Sequence, residues 1–176
     1  MKRLRACIRF IDALNEKAGR AVSWLTLAMV LLTAGEAVAR YAFNTGSVAL
    51  QELEWHFFAL IFLLGAGYTF LHDGHVRVDI FYARLSGRWK RRIDLIGGIA
   101  FLLPTCVLVI WTSIHFVAAS WRVLEGSGDP GGLPARYILK AAIPIGFFLL
   151  ALQGFSRIGG FFVRRDGAKR GGGGDA

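Results

Sequence analysis

Four long apolar segments constrain what this chain can fold into more than any other feature of it. A helix crosses the ~30 Å hydrocarbon core of a bilayer with about 20 mostly apolar residues, and there it satisfies its own backbone hydrogen bonds. We therefore predict an all-α integral membrane protein with four transmembrane helices. The predicted spans cover residues 21–43, 52–71, 93–119 and 141–163.

The composition agrees with a membrane protein but leaves the meaning of the charge open. Hydrophobic residues make up 55% of the 176 residues, above the usual ~45–50% of globular proteins, and the mean hydropathy is +0.48. The formal net charge is +9. Such a charge occurs in nucleic-acid-binding proteins and also on the cytoplasmic side of membrane proteins, so the positions of the basic residues must decide.

The basic residues concentrate in the N-terminal segment, the loop between the second and third spans, and the C-terminal segment that begins at Arg157. Only Arg40, Arg122, Arg136 and Lys140 lie elsewhere. Alternate loops of a four-span protein lie on one side, so the positive-inside rule places both termini in the cytoplasm. This pattern indicates a multi-pass membrane protein with cytoplasmic termini and argues against a nucleic-acid partner.

Residues 1–20 precede the first span as a basic segment with apolar positions at helical spacing. This pattern predicts an amphipathic N-terminal helix, which either lies on the anionic lipid surface or extends the first span into the cytoplasm. The first 40 residues also imitate a signal peptide. Their basic region is long, however, and Glu36 interrupts the approach to the small-residue site, so we expect no cleavage. The Gly-rich residues 164–176 are expected to form a disordered tail.

Ionisable residues near the outer ends of the first two spans need an explanation, because a charge at a span centre costs about 2.5–3.5 kcal/mol. Glu36 and Arg40 are four residues apart and share a helical face. They can neutralise each other, or their face can meet a partner subunit or the second helix. Glu52 and Glu54 begin that second helix at the same depth.

His56 is a candidate ligand both for a metal ion and for a haem. Glu52 and His56 share a face but are too few to bind a metal, so we expect none. His56 and His115 fall at similar outer depth on antiparallel helices, as a bis-histidine haem requires. A haem-binding membrane anchor of a redox complex is therefore the alternative function.

No motif indicates catalysis, and we expect no enzyme. Cys7 and Cys106 fall at different depths and are not expected to pair. The Gly-rich stretch 126–132 lacks the lysine of a phosphate site and is interpreted as an exposed turn of the outer loop.

The stretch LHDGHVRVD, residues 71–79, is interpreted as the turn by which the second span leaves the membrane. Gly74 permits a sharp turn, and His75 would lie in wet or interfacial surroundings. Arg77 would meet lipid headgroups or nearby acids. Whether Arg77 and Asp79 pair with each other or reach a partner stays open.

Three motifs together resemble a known family. They are RYAF at 40–43, QELEWH at 51–56, and LGAGY at 64–68 followed by HDGHVRVD at 72–79. The chain resembles the DctQ family, the small permease subunit of TRAP (tripartite ATP-independent periplasmic) transporters, over about residues 22–160. The outer loop 126–136 is similar to the mannitol/chloroaromatic or 2-oxo-acid branch.

The resemblance implies a small scaffold subunit without a cofactor. Its partners would be a large, DctM-like permease subunit and a periplasmic substrate-binding protein, in sodium-coupled uptake of an organic acid. Asp129 and Arg136 in the outer loop are candidate contacts for the binding protein. The candidate subunit-interface or structural polar residues are Glu36, Arg40, Glu52, Glu54, His56, His75, Arg77 and Asp79.

Overall fold

A computed structural model describes residues 2–74 and 86–171, which are helical apart from their connecting loops. The helices are α1 (Lys2–Phe43), α2 (Val48–Leu71), α3 (Gly87–Gly97), α4 (Leu103–Arg122) and α5 (Arg136–Gly171), and a π-helical turn (Gly98–Leu102) joins α3 to α4.

Four helical segments of this fold are long and apolar enough to cross a membrane. They are Lys2–Phe43, Val48–Leu71, Arg92–Arg122 and Arg136–Phe161. The third combines the end of α3, the π-helical turn and α4. The predicted fold class, an all-α protein with four transmembrane helices, is confirmed.

The N-terminal segment is continuous with the first span. Helix α1 runs for 42 residues, or about 63 Å at 1.5 Å per residue, about twice the thickness of the hydrocarbon core. Its buried positions in this part are Ile11, Asn15, Gly19 and Val22, three or four residues apart. One face of residues 2–20 therefore packs against the other helices, as in the extension of the first span rather than a separate surface helix.

Helix α5 is also longer than its predicted span. It continues to Gly171, so residues 164–171, expected to belong to a disordered tail, are helical. Near Gly159 the inner part of α5 meets α1, where a Cβ atom on Gly159 would lie 3.4 Å from Ile8 Cδ1. The inner ends of α1 and α5 therefore continue together beyond the end of α2.

Helices α1, α2 and α5 pack against one another, and α4 packs on α5. Small residues allow the close approaches, as is common between membrane helices. A Cβ atom on Gly19 would lie 2.2 Å from the Tyr68 ring, and one on Gly146 would lie 2.4 Å from the backbone oxygen of Leu63. Because a backbone atom cannot rotate away, the contact between α2 and α5 requires glycine at position 146.

The π-helical turn ends two residues before Pro104, which lies in the first turn of α4. Proline has no N–H group, and its ring clashes with the carbonyl group four residues earlier in a regular α-helix. A π-helical turn widens the helix locally, and such turns accompany bends in long helices. The third span thus accommodates its proline without interrupting the helix.

We predict that Gly146→Ala destabilises the bundle, because the new methyl group would overlap the Leu63 carbonyl. Overpacking of this kind costs about 1–3 kcal/mol. Thermal unfolding of the purified chain in detergent should show a lower midpoint. Gly35→Ala is the matched control, since nothing lies within 4 Å of a Cβ atom at that helical position. Equal midpoints for the two variants would contradict the packing described here.

Candidate functional site

A buried carboxylate at the outer end of α2 receives three hydrogen bonds from the loop between α4 and α5 and from the start of α5. Glu52 is 3% exposed. Its Oε1 accepts from Ser127 Oγ and, at 3.1 Å, from Arg136 Nη2. Its Oε2 accepts from the backbone N–H of Leu133 at 2.6 Å. We call Glu52, Ser127, Leu133 and Arg136 the outer cluster.

The loop is shaped to reach this carboxylate. Ser127 N–H donates to the Leu133 carbonyl at 2.9 Å, and Gly132 N–H donates to the Asp129 carbonyl at 3.0 Å, so residues 127–133 close on themselves. A Cβ atom on Gly132 would lie 2.9 Å from Glu52 Oε2 and 2.3 Å from Ser127 Oγ. Glycine is therefore required there. The stretch interpreted as an exposed turn is exposed at Gly126 and at 128–131, but Ser127 and the following Leu133 are tied to α2.

The two candidate contacts for the binding protein differ in accessibility. Arg136 is 28% exposed in its side chain, pairs with Glu52, and lies over the Trp55 ring with its Cζ atom 5.5 Å from the centroid. Its guanidinium group thus serves the subunit's own structure. Asp129 is exposed and takes part in the loop through its backbone groups.

A second ion pair fastens the same loop. Glu125 pairs with Lys140, whose Nζ atom also lies 4.2 Å from the Phe116 ring centroid. The Glu125 carbonyl accepts from the backbone N–H of Arg136 at 2.8 Å. The hydrogen bond from the Lys140 ammonium group is the main cause that lowers the pKa of Glu125 below its ordinary value. Both backbone and side chain of Glu125 therefore hold the start of α5.

The other outer acidic residues are placed differently. Arg40 Nη2 lies 3.3 Å from Glu36 Oε1, and the side chains are 55% and 5% exposed, so the pair predicted from spacing is present. Glu54 Oε1 is buried, and no hydrogen-bond donor reaches it in residues 2–74 and 86–171. A carboxylate oxygen without a donor in a transmembrane helix is costly.

The two histidines of the haem alternative are not brought together. His56 Nδ1 lies 2.5 Å from the Glu52 carbonyl of its own helix and is part-buried. His115 Nδ1 lies 3.2 Å from the Trp111 carbonyl of its own helix and is exposed. No contact between the two rings is found within the described residues, where no group of three metal-binding side chains occurs either.

A second polar cluster ties α1 to α5 and was not predicted from the sequence. Asn15 is fully buried, and its Nδ2 donates to Gln153 Oε1 at 2.9 Å. Asp12 Oδ1 accepts from Gln153 Nε2 at 2.9 Å and from Ser156 Oγ at 2.7 Å. We call Asp12, Asn15, Gln153 and Ser156 the inner cluster. The sequence feature that could have predicted this cluster is Asn15. It lies between Ile11 and Gly19 at helical spacing and faces two polar residues of an apolar span.

Helix α2 supplies the third wall of the inner cluster. A Cβ atom on Gly67 would lie 2.0 Å from Asn15 Oδ1. Arg157 Nη1 donates to the Phe70 carbonyl at 3.0 Å and pairs with Asp73, which holds the end of α2 against α5. His72 Nε2 lies 2.8 Å from Glu16 Oε2, and this contact holds the end of α2 against α1. His75, Arg77 and Asp79 lie outside the described residues.

We predict that Glu52→Gln loosens the outer loop. The amide keeps the shape of the side chain but loses the charge that pairs with Arg136, and its NH₂ group must face donors where the carboxylate accepted. Hydrogen–deuterium exchange of residues 127–136 should become markedly faster. Asp129→Asn removes one charge from an exposed position of the same loop and should leave exchange unchanged. Unaltered exchange in the Glu52 variant would exclude this role.

The Glu125 pair predicts a pH dependence. A carboxylate whose pKa is lowered in the folded state stabilises it fully above the unfolded pKa, about 4, and loses this contribution as the pH falls through the lowered value. The difference in thermal midpoint between the parent chain and Glu125→Gln should be constant above pH ~5 and shrink at lower pH. A difference that grows on acidification would contradict the assignment.

Comparison with known proteins identifies the chain. A search of curated proteins gave no match. The family model of the DctQ component of tripartite ATP-independent periplasmic transporters matches residues 10–163. This range contains both polar clusters and the larger part of each of the four spans. The chain belongs to the DctQ component family of tripartite ATP-independent periplasmic transporters.

Proposed function

We propose that this protein is the small scaffold subunit of a TRAP-type secondary transporter in a bacterial inner membrane. It holds the large, DctM-like permease subunit during sodium-coupled uptake of an organic acid captured by a periplasmic binding protein. The observation that carries the proposal is that polar side chains buried in the bundle join its helices at both ends. Side chains used in this way position helices rather than conduct a solute.

The distribution of charge supports this division of labour. Glu52 and Glu36 have cationic partners within the chain, and Asn15 and Gln153 bond to each other. Polar groups along a transport pathway must instead exchange partners with the moving solute or ion. The solute and sodium sites would then lie in the large subunit.

Glu54 is the residue best suited to meet the large subunit. Its Oε1 atom is buried without a donor within the described residues, although neighbouring Glu52 is fully bonded. A basic or hydroxyl group of the permease would remove the cost of this unpaired oxygen. Asp129, exposed at the tip of the outer loop, is the better of the two candidate contacts for the binding protein.

Reconstitution tests the proposal. Proteoliposomes with this chain, its cognate large permease and the binding protein should take up organic acid under an inward sodium gradient, and a potassium gradient should not replace it. Liposomes with this chain alone should take up none, because the substrate site lies in the other subunit. Uptake by this chain alone, or full uptake without it, would refute the scaffold role.

The Glu54→Gln variant refines the same experiment. It should not lower the thermal midpoint of the isolated chain, because it removes an unpaired charge. It should nevertheless recover less permease on co-purification, since it weakens a contact made only in the complex. Asp129→Asn, the matched loss of charge on the outer loop, should recover the permease normally. Equal recovery by both variants would remove Glu54 from the subunit interface.

A further inference from the structure

We propose that α1 carries a binding site for the headgroup of an anionic phospholipid, formed by Lys17, Arg20 and Trp24 at the inner membrane surface. The site lies on the face of α1 opposite the one that packs in the bundle. It does not depend on the proposed transport role, because it needs only the isolated chain and a bilayer.

The first observation is the arrangement of one exposed stripe on α1. Lys17, Arg20, Trp24, Leu27 and Leu31 follow one another at spacings of three and four residues, which places them on one helical face. Trp24 is 72% exposed, Leu27 49% and Leu31 64%, and the Arg20 side chain is 76% exposed. Going inward, the stripe changes from aliphatic to aromatic to basic, the order that lipid tails, interface and phosphates present.

The second observation fixes the depth of the basic residues. His72 follows the last residue of α2 and lies 2.8 Å from Glu16, so residue 16 of α1 is level with the end of the second span. Arg20 is then about 6 Å and Trp24 about 12 Å further into the membrane along the axis. The headgroup layer is about 6 Å thick on each side, which places Arg20 at its boundary with the hydrocarbon.

The third observation is the direction of the side chains. In an α-helix the Cα–Cβ bonds tilt toward the N-terminus, which in α1 is the inner end. Long side chains at 17 and 20 therefore extend toward the headgroups, as basic residues near span ends do. Arg20 shares Glu16 with His72. It bonds through Nε, and its Nη groups have no hydrogen-bond partner within residues 2–74 and 86–171. Lys17 is exposed and has no carboxylate partner within the described residues.

The net positive charge of the stripe favours an anionic lipid. Two cations meet one carboxylate, Glu16, which is already bonded to His72, so the stripe keeps a positive excess at the phosphate level. An anionic headgroup such as phosphatidylglycerol supplies the missing negative charge, whereas the zwitterionic phosphatidylcholine does not. Each basic residue near an anionic surface contributes about 1 kcal/mol, or about fivefold in affinity.

Native mass spectrometry of the full-length chain released from detergent micelles tests the site. Phosphatidylglycerol should bind in preference to phosphatidylcholine with the same acyl chains. The double variant Lys17→Gln with Arg20→Gln should weaken phosphatidylglycerol binding about tenfold or more and leave phosphatidylcholine binding unchanged. The charge-preserving variant Lys17→Arg with Arg20→Lys should bind as the parent does.

The control removes the same charge from the same helix at another depth. Arg3→Gln with Arg5→Gln changes two exposed residues that lie about 16–20 Å inward of residue 16 and should alter binding less than twofold. An equal loss in both double variants would overturn the proposal in favour of bulk charge attraction. Undiminished binding after substitution of Lys17 and Arg20, with an unchanged thermal midpoint in phosphatidylcholine, would overturn it as well.

Discussion

A polar group left unpaired in hydrocarbon costs several kcal/mol, and this constraint determines how the helices of this protein meet. Asn15 and Gln153 interrupt apolar faces of α1 and α5, and they bond to each other. Glu52 lies near the outer end of α2 and accepts hydrogen bonds from the outer loop and from α5. These side chains have partners on another helix or on the outer loop, so the arrangement of α1, α2 and α5 follows from the need to pair them.

The two clusters act at different depths of the bundle. The inner cluster joins α1 to α5 beside Gly67 of α2, and the outer cluster joins α2 to the start of α5. Between them Gly146 brings α5 against the backbone of α2 at Leu63. Helix α5 is thus joined to its neighbours near both ends and in its middle. This is why we assign the bundle a supporting role and place the moving solute site in the large subunit.

The spans and the Glu36–Arg40 pair were predictable because both depend on spacing within one helix. The partners of Glu52 were not, because they lie 75 to 84 residues later in the chain, and the conformation of a loop brings them back. Spacing pointed to His56, which lies against the Glu52 carbonyl of its own helix and against the Trp55 ring. The packing of residues 2–20 was not predicted either. Their basic face indicated a lipid surface, whereas Asn15 on the opposite face packs against α5.

We expect the helices of this subunit to keep their positions while the transporter works. A disulfide between Val22→Cys and Gly65→Cys would test it, because a Cβ atom on Gly65 would lie 3.6 Å from Val22 Cγ1 across α1 and α2. Cys7→Ser and Cys106→Ala would remove the native thiols. Sodium-driven uptake by the complete transporter would be measured with the pair oxidised and reduced. The scaffold role predicts equal uptake in both states, and uptake that stops on oxidation and returns on reduction would contradict it.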